Sequence, residues 1–234
     1  MKLYMVATPI GNLEDITYRA VRILGEVDVI ACEDTRHTQN LLSHYGIHKR
    51  TIACHSYNEE ESAKGILALL DSGNNIAYVS DAGTPGISDP GARVVEYVRA
   101  NSGHEVIPVP GPAAVSALVS VSGNIGKGFV FEGFLSPKAG RRRKRLSELF
   151  SFKTAFVVYE SPYRVLKTLE DIKEAGRSRI IAGREMTKAF EEILTGTPEE
   201  VIASLSAKDK IKGEFSIVVV PEGEDDNSEE DPDA

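Results

Sequence analysis

Apolar residues fall along this chain in short runs, with helical patterns between them. KLYMVAT (2–8), VDVIACE (27–33), RTIAC (50–54), NIAYVS (75–80) and EVIPV (105–109) predict buried strands, being rich in β-branched and other apolar residues. Residues 15–25, 36–46, 58–72 and 89–101 carry helical spacing instead. In 58–72, Ile66, Leu67, Leu69 and Leu70 gather on one side, away from Glu59, Glu60, Glu61 and Lys64. Strand-helix alternation at this pitch predicts a mostly parallel sheet with helices on its faces. Such a sheet is covered on both sides, which explains strands that are apolar almost throughout.

The texture changes after about residue 120. SVSGNIGKG is rich in Gly and Ser and predicts a connection. Beyond it, FVFEGF (129–134), TAFVVYE (154–160), SRIIAG (178–183), EEILTG (191–196) and GEFSIVVV (213–220) read as strands. Helical patterns occupy 140–150, 161–175 and 198–206. The last apolar strands lie close together, which predicts a mixed sheet. The expected fold class is α/β with two α/β domains, 1–118 and 119–222, the first mostly parallel and the second mixed. A cleft between two domains is a favoured ligand site.

Composition adds limits. The net charge of the 234 residues is −8, from 27 Lys plus Arg and 35 Asp plus Glu. Residues 222–234 (EGEDDNSEEDPDA) hold eight of those acids and no base, so 27 acids face 27 bases in the rest. The body is neutral, and any attraction to nucleic acid must be local. The tail 223–234 is expected to be disordered, because its composition cannot bury apolar surface. No apolar run approaches the roughly 20 residues of a membrane helix. Pro9 and Gly11 come too soon for a signal peptide. Two cysteines, Cys32 and Cys54, make no disulfide framework and no zinc spacing. They read as small buried hydrophobes, and the chain as cytoplasmic.

Three Gly/Pro-rich segments follow predicted strands of the first domain. They are Ala7–Asn12, Ser80–Gly91 and Pro108–Ala114. Loops at the carboxyl ends of parallel strands share one edge and build the ligand crevice. Glycine lets backbone approach a ligand, and proline stiffens the loop. Neither GxGxxG nor GxxxxGK[ST] is present, so the common nucleotide fingerprints are absent. Asp81 offers a carboxylate to hydroxyl or amino groups. Asp89 reads as a helix N-cap with Pro90 at the first helical position.

Glu33, Asp34, Arg36 and His37 crowd another strand end. Four of the five histidines fall within 37–55, at irregular spacing and without HExxH, so no metal is expected. His55 follows a strand and is placed to act as a base or a hydrogen-bonding group. The sharpest charge feature is Lys138-Ala139-Gly140-Arg141-Arg142-Arg143-Lys144-Arg145, six bases in eight positions. A block of one sign points to a polyanion such as a phosphate backbone. Phe129, Phe131 and Phe134 beside it read as core. Tyr159–Arg164 and Gly183–Lys188 carry polar residues into turns, and spacing alone names no reaction there.

The order of segments says more than any one of them. VATPIGNLEDIT, DVIACEDTRHT, SDAGTPGISDPG, PGPAA, FEGFLSPKAGRRR, YESPYRV, REMTKAFEE and GEFSIVV together resemble the tetrapyrrole methylase superfamily. More narrowly they resemble its branch of bacterial ribosomal RNA methyltransferases, over about 1–220. It implies S-adenosylmethionine held between two α/β domains, by Pro9, Asp81, Ala82, Gly83, Thr84, Ile87, Pro110, Gly111, Pro112 and Ala113. In the second domain it implies contacts at Glu160, Ser161, Arg184, Glu185, Met186, Gly213 and Ser216. Pro9 stands where the family has a glycine-rich opening loop, and Asp81–Pro85 replaces a Gly-Gly-Asp-like loop.

The implied reaction is methyl transfer to the ribose 2′-hydroxyl of a cytidine in the decoding region of 16S rRNA. The implied partner is the small ribosomal subunit, and a homodimer is expected. Glu33, Asp34, His55 and Glu185 are the candidates for the base, and spacing does not choose among them. Arg36, Lys138, Arg141, Arg142, Arg143, Lys144 and Arg145 are the expected RNA contacts. The alternatives are a corrinoid or porphyrin-precursor methylase of the same fold and a non-catalytic RNA- or nucleotide-binding module.

Overall fold

The computed structural model describes residues 1–54 and 59–222. The chain divides into two compact units, the first over Met1–Ala114 and the second from Val115 onward.

In the first unit the strands are β1 (Lys2–Val6), β2 (Val29–Cys32), β3 (Arg50–Ala53), β4 (Ile76–Val79) and β5 (Glu105–Val109). They form one sheet in the order β3-β2-β4-β1-β5, with every pairing parallel. The helices are α1 (Tyr18–Glu26), α2 (Thr35–His44), α3 (Glu59–Asp71) and α4 (Gly91–Asn101). Side chains alternate along each strand. Val6, Ile30, Cys32, Ala77 and Val79 therefore meet Ala20, Ile23 and Leu24 of α1 and Leu42 of α2. Leu3, Val29, Ala31, Ile76 and Tyr78 meet α3 and α4 through Ala63, Ile66, Leu70, Val94 and Val98 on the other face. Full burial of such a side chain stabilises by about 1.5–3 kcal/mol. Both faces are covered, so the central strands β2 and β4 are buried at every position.

The second unit, from Val115, takes in all but the first residue of α5 (Ala114–Ser120), a short helix that periodicity did not predict. Its strands are β6 (Phe129–Phe134), β7 (Ala155–Glu160), β8 (Ser178–Arg184), β9 (Glu192–Gly196) and β10 (Phe215–Pro221), in the order β6-β7-β10-β8-β9. Only β6 and β7 pair in parallel; the other pairings are antiparallel, so the sheet is mixed. The carboxyl ends of β6, β7 and β8 consequently share one edge. Helices α6 (Ala139–Ser151), α7 (Val165–Ala175) and α8 (Pro198–Ser206) pack on one face against Phe156, Val158, Ile180, Ile217 and Val219. Helix α8 starts with a reciprocal cap: Thr197 accepts from the Glu200 amide, and Glu200 accepts from the Thr197 amide.

Candidate functional site

In the first unit the loops leaving β1, β4 and β5 are stitched into one body. Thr8 and Gly83 exchange both backbone hydrogen bonds, at 2.9 and 3.0 Å. The Ala7 amide donates to the Val109 carbonyl, and the Thr84 hydroxyl donates to the Pro112 carbonyl at 2.9 Å. The fit is tight at two positions. A Cβ on Gly111 would lie 2.9 Å from the Ala7 Cβ, and one on Gly83 would press Ile10 at 3.3 Å. Gly83 also needs a positive φ of 81°. These loops thus bring together Pro9, Asp81, Ala82, Gly83, Thr84, Pro110, Gly111, Pro112 and Ala113. Pro9, Gly83 and Ala113 are buried within the stitch, whereas Asp81, Ala82, Pro110 and Gly111 are exposed on it.

Asp89 folds the far half of the β4 loop. One carboxylate oxygen accepts from the Gly86 and Ile87 amides at 2.8 and 3.1 Å, and the other from Gly91 at 2.7 Å. Helix α4 begins at Gly91 with Pro90 as its cap residue, one residue later than the sequence predicted. Asp89 therefore is not the cap residue expected from sequence but a loop clamp one position before it, which also holds the first helical amide, that of Gly91.

The loop leaving β2 supplies acids. Asp34 caps α2, accepting from the Arg36 and His37 amides at 2.8 and 3.4 Å. Those amides, with the Arg36 guanidinium, hold its carboxyl below the usual range. Arg36 itself is exposed. Asp81 accepts from the Asp34 amide at 3.1 Å, which joins this loop to the β4 loop. Glu33 stands between them, half-buried. Burial, then the charges of Asp81 and Asp89, push its carboxyl up, although the Asp81 amide works the other way. Beneath lies Tyr78, fully buried, whose hydroxyl has no partner among the described residues. Burial pushes up both Cys32 and Cys54, the latter to about 11, so both are protonated packing groups rather than nucleophiles. His55 lies outside the described residues.

In the second unit the named residues meet at the carboxyl ends of β7 and β8. Glu160 and Arg184 both pair with Phe215 in register. The Glu160 carboxylate is buried and accepts from the Ser161 amide (2.8 Å) and the Thr168 hydroxyl (2.6 Å), with Arg164 at 3.0 Å. Arg184 pairs with Glu192 at 2.8 Å. Glu185 sits at a positive φ of 50° and accepts from the Glu214 amide and the Lys188 ammonium, each at 3.0 Å. Burial opposes its charge, but those donors and Arg184 outweigh it and hold the carboxyl low. Its methylene packs on Gly213, where a Cβ would collide with the Glu185 Cγ and φ is +91°. Met186 closes over Gly183, and Ser216 is buried beside it in the sheet.

The basic block splits by environment. Arg142 is 2% exposed and forms a buried ion pair with Asp171. It is therefore not a surface cation, contrary to the expectation for the whole block. Arg143 also reaches Asp171, at 2.7 Å, and Arg145 grips Glu132 through two bonds of 2.9 and 2.7 Å. Lys138, Arg141 and Lys144 are exposed, with no ion pair among the described residues. Phe129 and Phe134, expected in the core, are 40% and 59% exposed. Sequence reasoning also missed Thr8, whose stitch to Gly83 has no local signal beyond the following proline.

A profile described as Tetrapyrrole (Corrin/Porphyrin) Methylases matches residues 2–202. The chain belongs to the tetrapyrrole methylase family. It is similar to the ribosomal RNA small subunit methyltransferase I of Borrelia garinii subsp. bavariensis, at 47% identity over 93% of this chain and 97% of that one. It is 44% identical to the protein of the same name in Escherichia coli O157:H7, over 93% of this chain and 77% of that one. Among solved structures, the methyltransferase CobJ shares the fold with a TM-score of 0.71 at 18% identity, over 94% and 93% of the two chains. Uroporphyrin-III C-methyltransferase from Thermus thermophilus, complexed with S-adenosyl homocysteine, aligns at 0.67 and 18%, over 93% and 97%. As a tetrapyrrole methylase, the chain is an S-adenosylmethionine-dependent methyltransferase.

Proposed function

We propose that this enzyme methylates the ribose 2′-hydroxyl of a cytidine in the decoding region of small-subunit ribosomal RNA. The observation that carries the reading is the likeness, over 93% of the chain, to relatives named ribosomal RNA small subunit methyltransferase I. The solved neighbours at 16–18% identity speak only for the fold. Lys138, Arg141 and Lys144, on and beside α6 and without an ion pair among the described residues, give an rRNA backbone its electrostatic footing.

The stitched loops of the first unit fit the cofactor. Gly83, buried, lets the loops close on each other, Gly111 leaves backbone exposed on them, and the exposed Asp81 carboxylate keeps acceptor capacity for hydroxyl or ammonium groups. Bound S-adenosylmethionine supplies a methyl group already activated on sulfonium, so the protein's task is placement. Holding the 2′-hydroxyl in line with that methyl removes much of the entropic barrier. The hydroxyl must also lose its proton late in transfer. Glu33 is the proposed base: its raised pKa favours taking a proton, whereas the amides on Asp34 and the donors on Glu185 hold those carboxylates as anions. In the second unit, Arg184, Glu185, Met186 and Gly213 shape the cofactor's surroundings, with Glu160, Ser161 and Ser216 fixing the strands that carry them. Cytoplasmic placement and a homodimer belong to the same reading. No helix among the described residues is long and apolar enough to cross a membrane.

The test is labelled methyl transfer from S-adenosylmethionine to small subunits lacking the modification, with the label mapped by nucleotide. A 2′-O-methylcytidine in the decoding region is expected. Cofactor binding without transfer to rRNA would remove the substrate assignment.

A further inference from the structure

The edge strand β6 carries a feature that core packing does not use. Its pairing with β7 shifts register between Phe131 and Gly133, and Gly133 has a positive φ of 70°. This bulge inserts one residue and so turns the next side chain over. Phe131 lies opposite Val157, and Phe134 opposite Tyr159, so both rings fall on one face of the strand. Tyr159 packs edge-on against each, with centroids 5.1 and 5.7 Å away. The Tyr159 hydroxyl accepts from the Val115 amide at 2.9 Å, which fixes its ring. Phe134 is held in this way yet stays 59% exposed.

The neighbouring turns are fastened to the same place. Arg164 donates to the Leu135 carbonyl at 2.7 Å, which ties the turn after β7 to the residue following Phe134. Arg142, buried on Asp171, reaches the Ser136 and Pro137 carbonyls at 3.4 Å. The turn that Arg164 fastens also presents Tyr163, 91% exposed. Next along the chain after Pro137 come Lys138, at the cap of α6, and Arg141 and Lys144 in its first two turns, the cations of the block with no ion pair among the described residues.

We infer that Phe134 and Tyr163 form a stacking platform for unpaired bases, with Lys138, Arg141 and Lys144 taking the adjoining phosphates. The inference rests on the rRNA reading above and names the part of the RNA that this surface takes: single strand rather than duplex. Exposed rings beside cations of one sign are the elements of single-strand recognition. A duplex hides its base faces and would use the cations alone. In this division Arg142 is a positioning residue, which holds the 135–138 turn from beneath.

The probe is a single-stranded RNA dodecamer carrying 2-aminopurine, compared with the same sequence in duplex, on the full chain. Phe134→Ala and Tyr163→Ala are each expected to weaken single-strand binding roughly 5- to 100-fold and to remove the quenching of 2-aminopurine. Duplex binding and the slope of affinity against salt should hold. Phe134→Trp should keep single-strand binding. Replacing Lys138, Arg141 and Lys144 with Ala should instead flatten the salt slope for both RNAs, by about 0.7 per phosphate contact on the single strand. S-adenosylmethionine affinity verifies the fold of each variant. Unchanged single-strand affinity in the Phe134→Ala/Tyr163→Ala double variant would overturn the platform. So would dissociation of a dimer with RNA affinity intact, since a second copy would then cover the rings. Methyl transfer by the unaltered enzyme to small subunits runs in parallel, so failure of the rRNA reading shows in that arm alone.

Discussion

Glu33 and Asp34 are neighbours in sequence with the same charge, yet their surroundings separate them. Asp34 spends its carboxylate on the amides that begin α2. Glu33 faces Asp81 and Asp89 in a half-buried position, which raises its pKa. Glu33→Gln should lower turnover by roughly 10²–10⁴-fold while cofactor affinity holds. The same substitution should raise the melting temperature near neutral pH. The folded-state pKa lies above the unfolded one, so ionised Glu33 opposes folding as pH rises through that value. Below about pH 4 the residue is protonated in both states, and the advantage of Gln should vanish. Asp81→Asn removes one like charge, so at saturating cofactor the acid limb of the pH–rate profile should move to lower pH. An unmoved limb would assign the proton to another group. The Asp34 half of this contrast is local, since an acid at the start of a helix reads as a cap, whereas Glu33 is raised by Asp81 and Asp89 some 50 residues away, which CEDTRHT does not show.

At the scale of elements, the cradle was legible and its fastening was not. Gly and Pro after strands marked the loops at 80–91 and 108–114, since those residues serve where backbone must turn sharply or lie close to something. The Thr8–Gly83 bridge and the Gly111–Ala7 contact are tertiary, and no local pattern announces them. Gly111→Ala tests the fastening. Its Cβ must push the β1 loop away, at a cost of about 1–3 kcal/mol, and S-adenosylmethionine affinity by calorimetry should fall at least roughly tenfold. Loss of stability without loss of affinity would separate the cradle from the cofactor. In the second unit the strands of FVFEGF and GEFSIVVV were readable from composition, but the bulge that turns Phe134 outward was not. Nor could a run of six bases show which one is buried. Arg142 finds Asp171 across 29 positions, from α6 to α7. Asp171→Ala should cost about 3–5 kcal/mol in urea unfolding, because it leaves Arg142 buried without its counter-charge. A loss below 1 kcal/mol would mean that water reaches the guanidinium.

Charge is the property that belongs to the whole molecule. The net charge of −8 opposes approach to rRNA, yet residues 223–234 alone contribute seven acids and no base. Removing them leaves −1, while Lys138, Arg141 and Lys144 stay in place. Association with small-subunit RNA at low salt should then quicken several-fold, because long-range repulsion slows encounter more than it weakens the final contacts. The gap should close as salt rises, since the screening length falls from about 30 Å at 0.01 M to 3 Å at 1 M. Stopped-flow association across a salt series reads both effects. Convergence at high salt would show that the tail acts through its field alone. A rate advantage that survives 1 M salt would show that 223–234 compete for the RNA-binding surface by direct contact. Either way, S-adenosylmethionine affinity should be untouched, because every residue proposed to hold the cofactor lies before position 223.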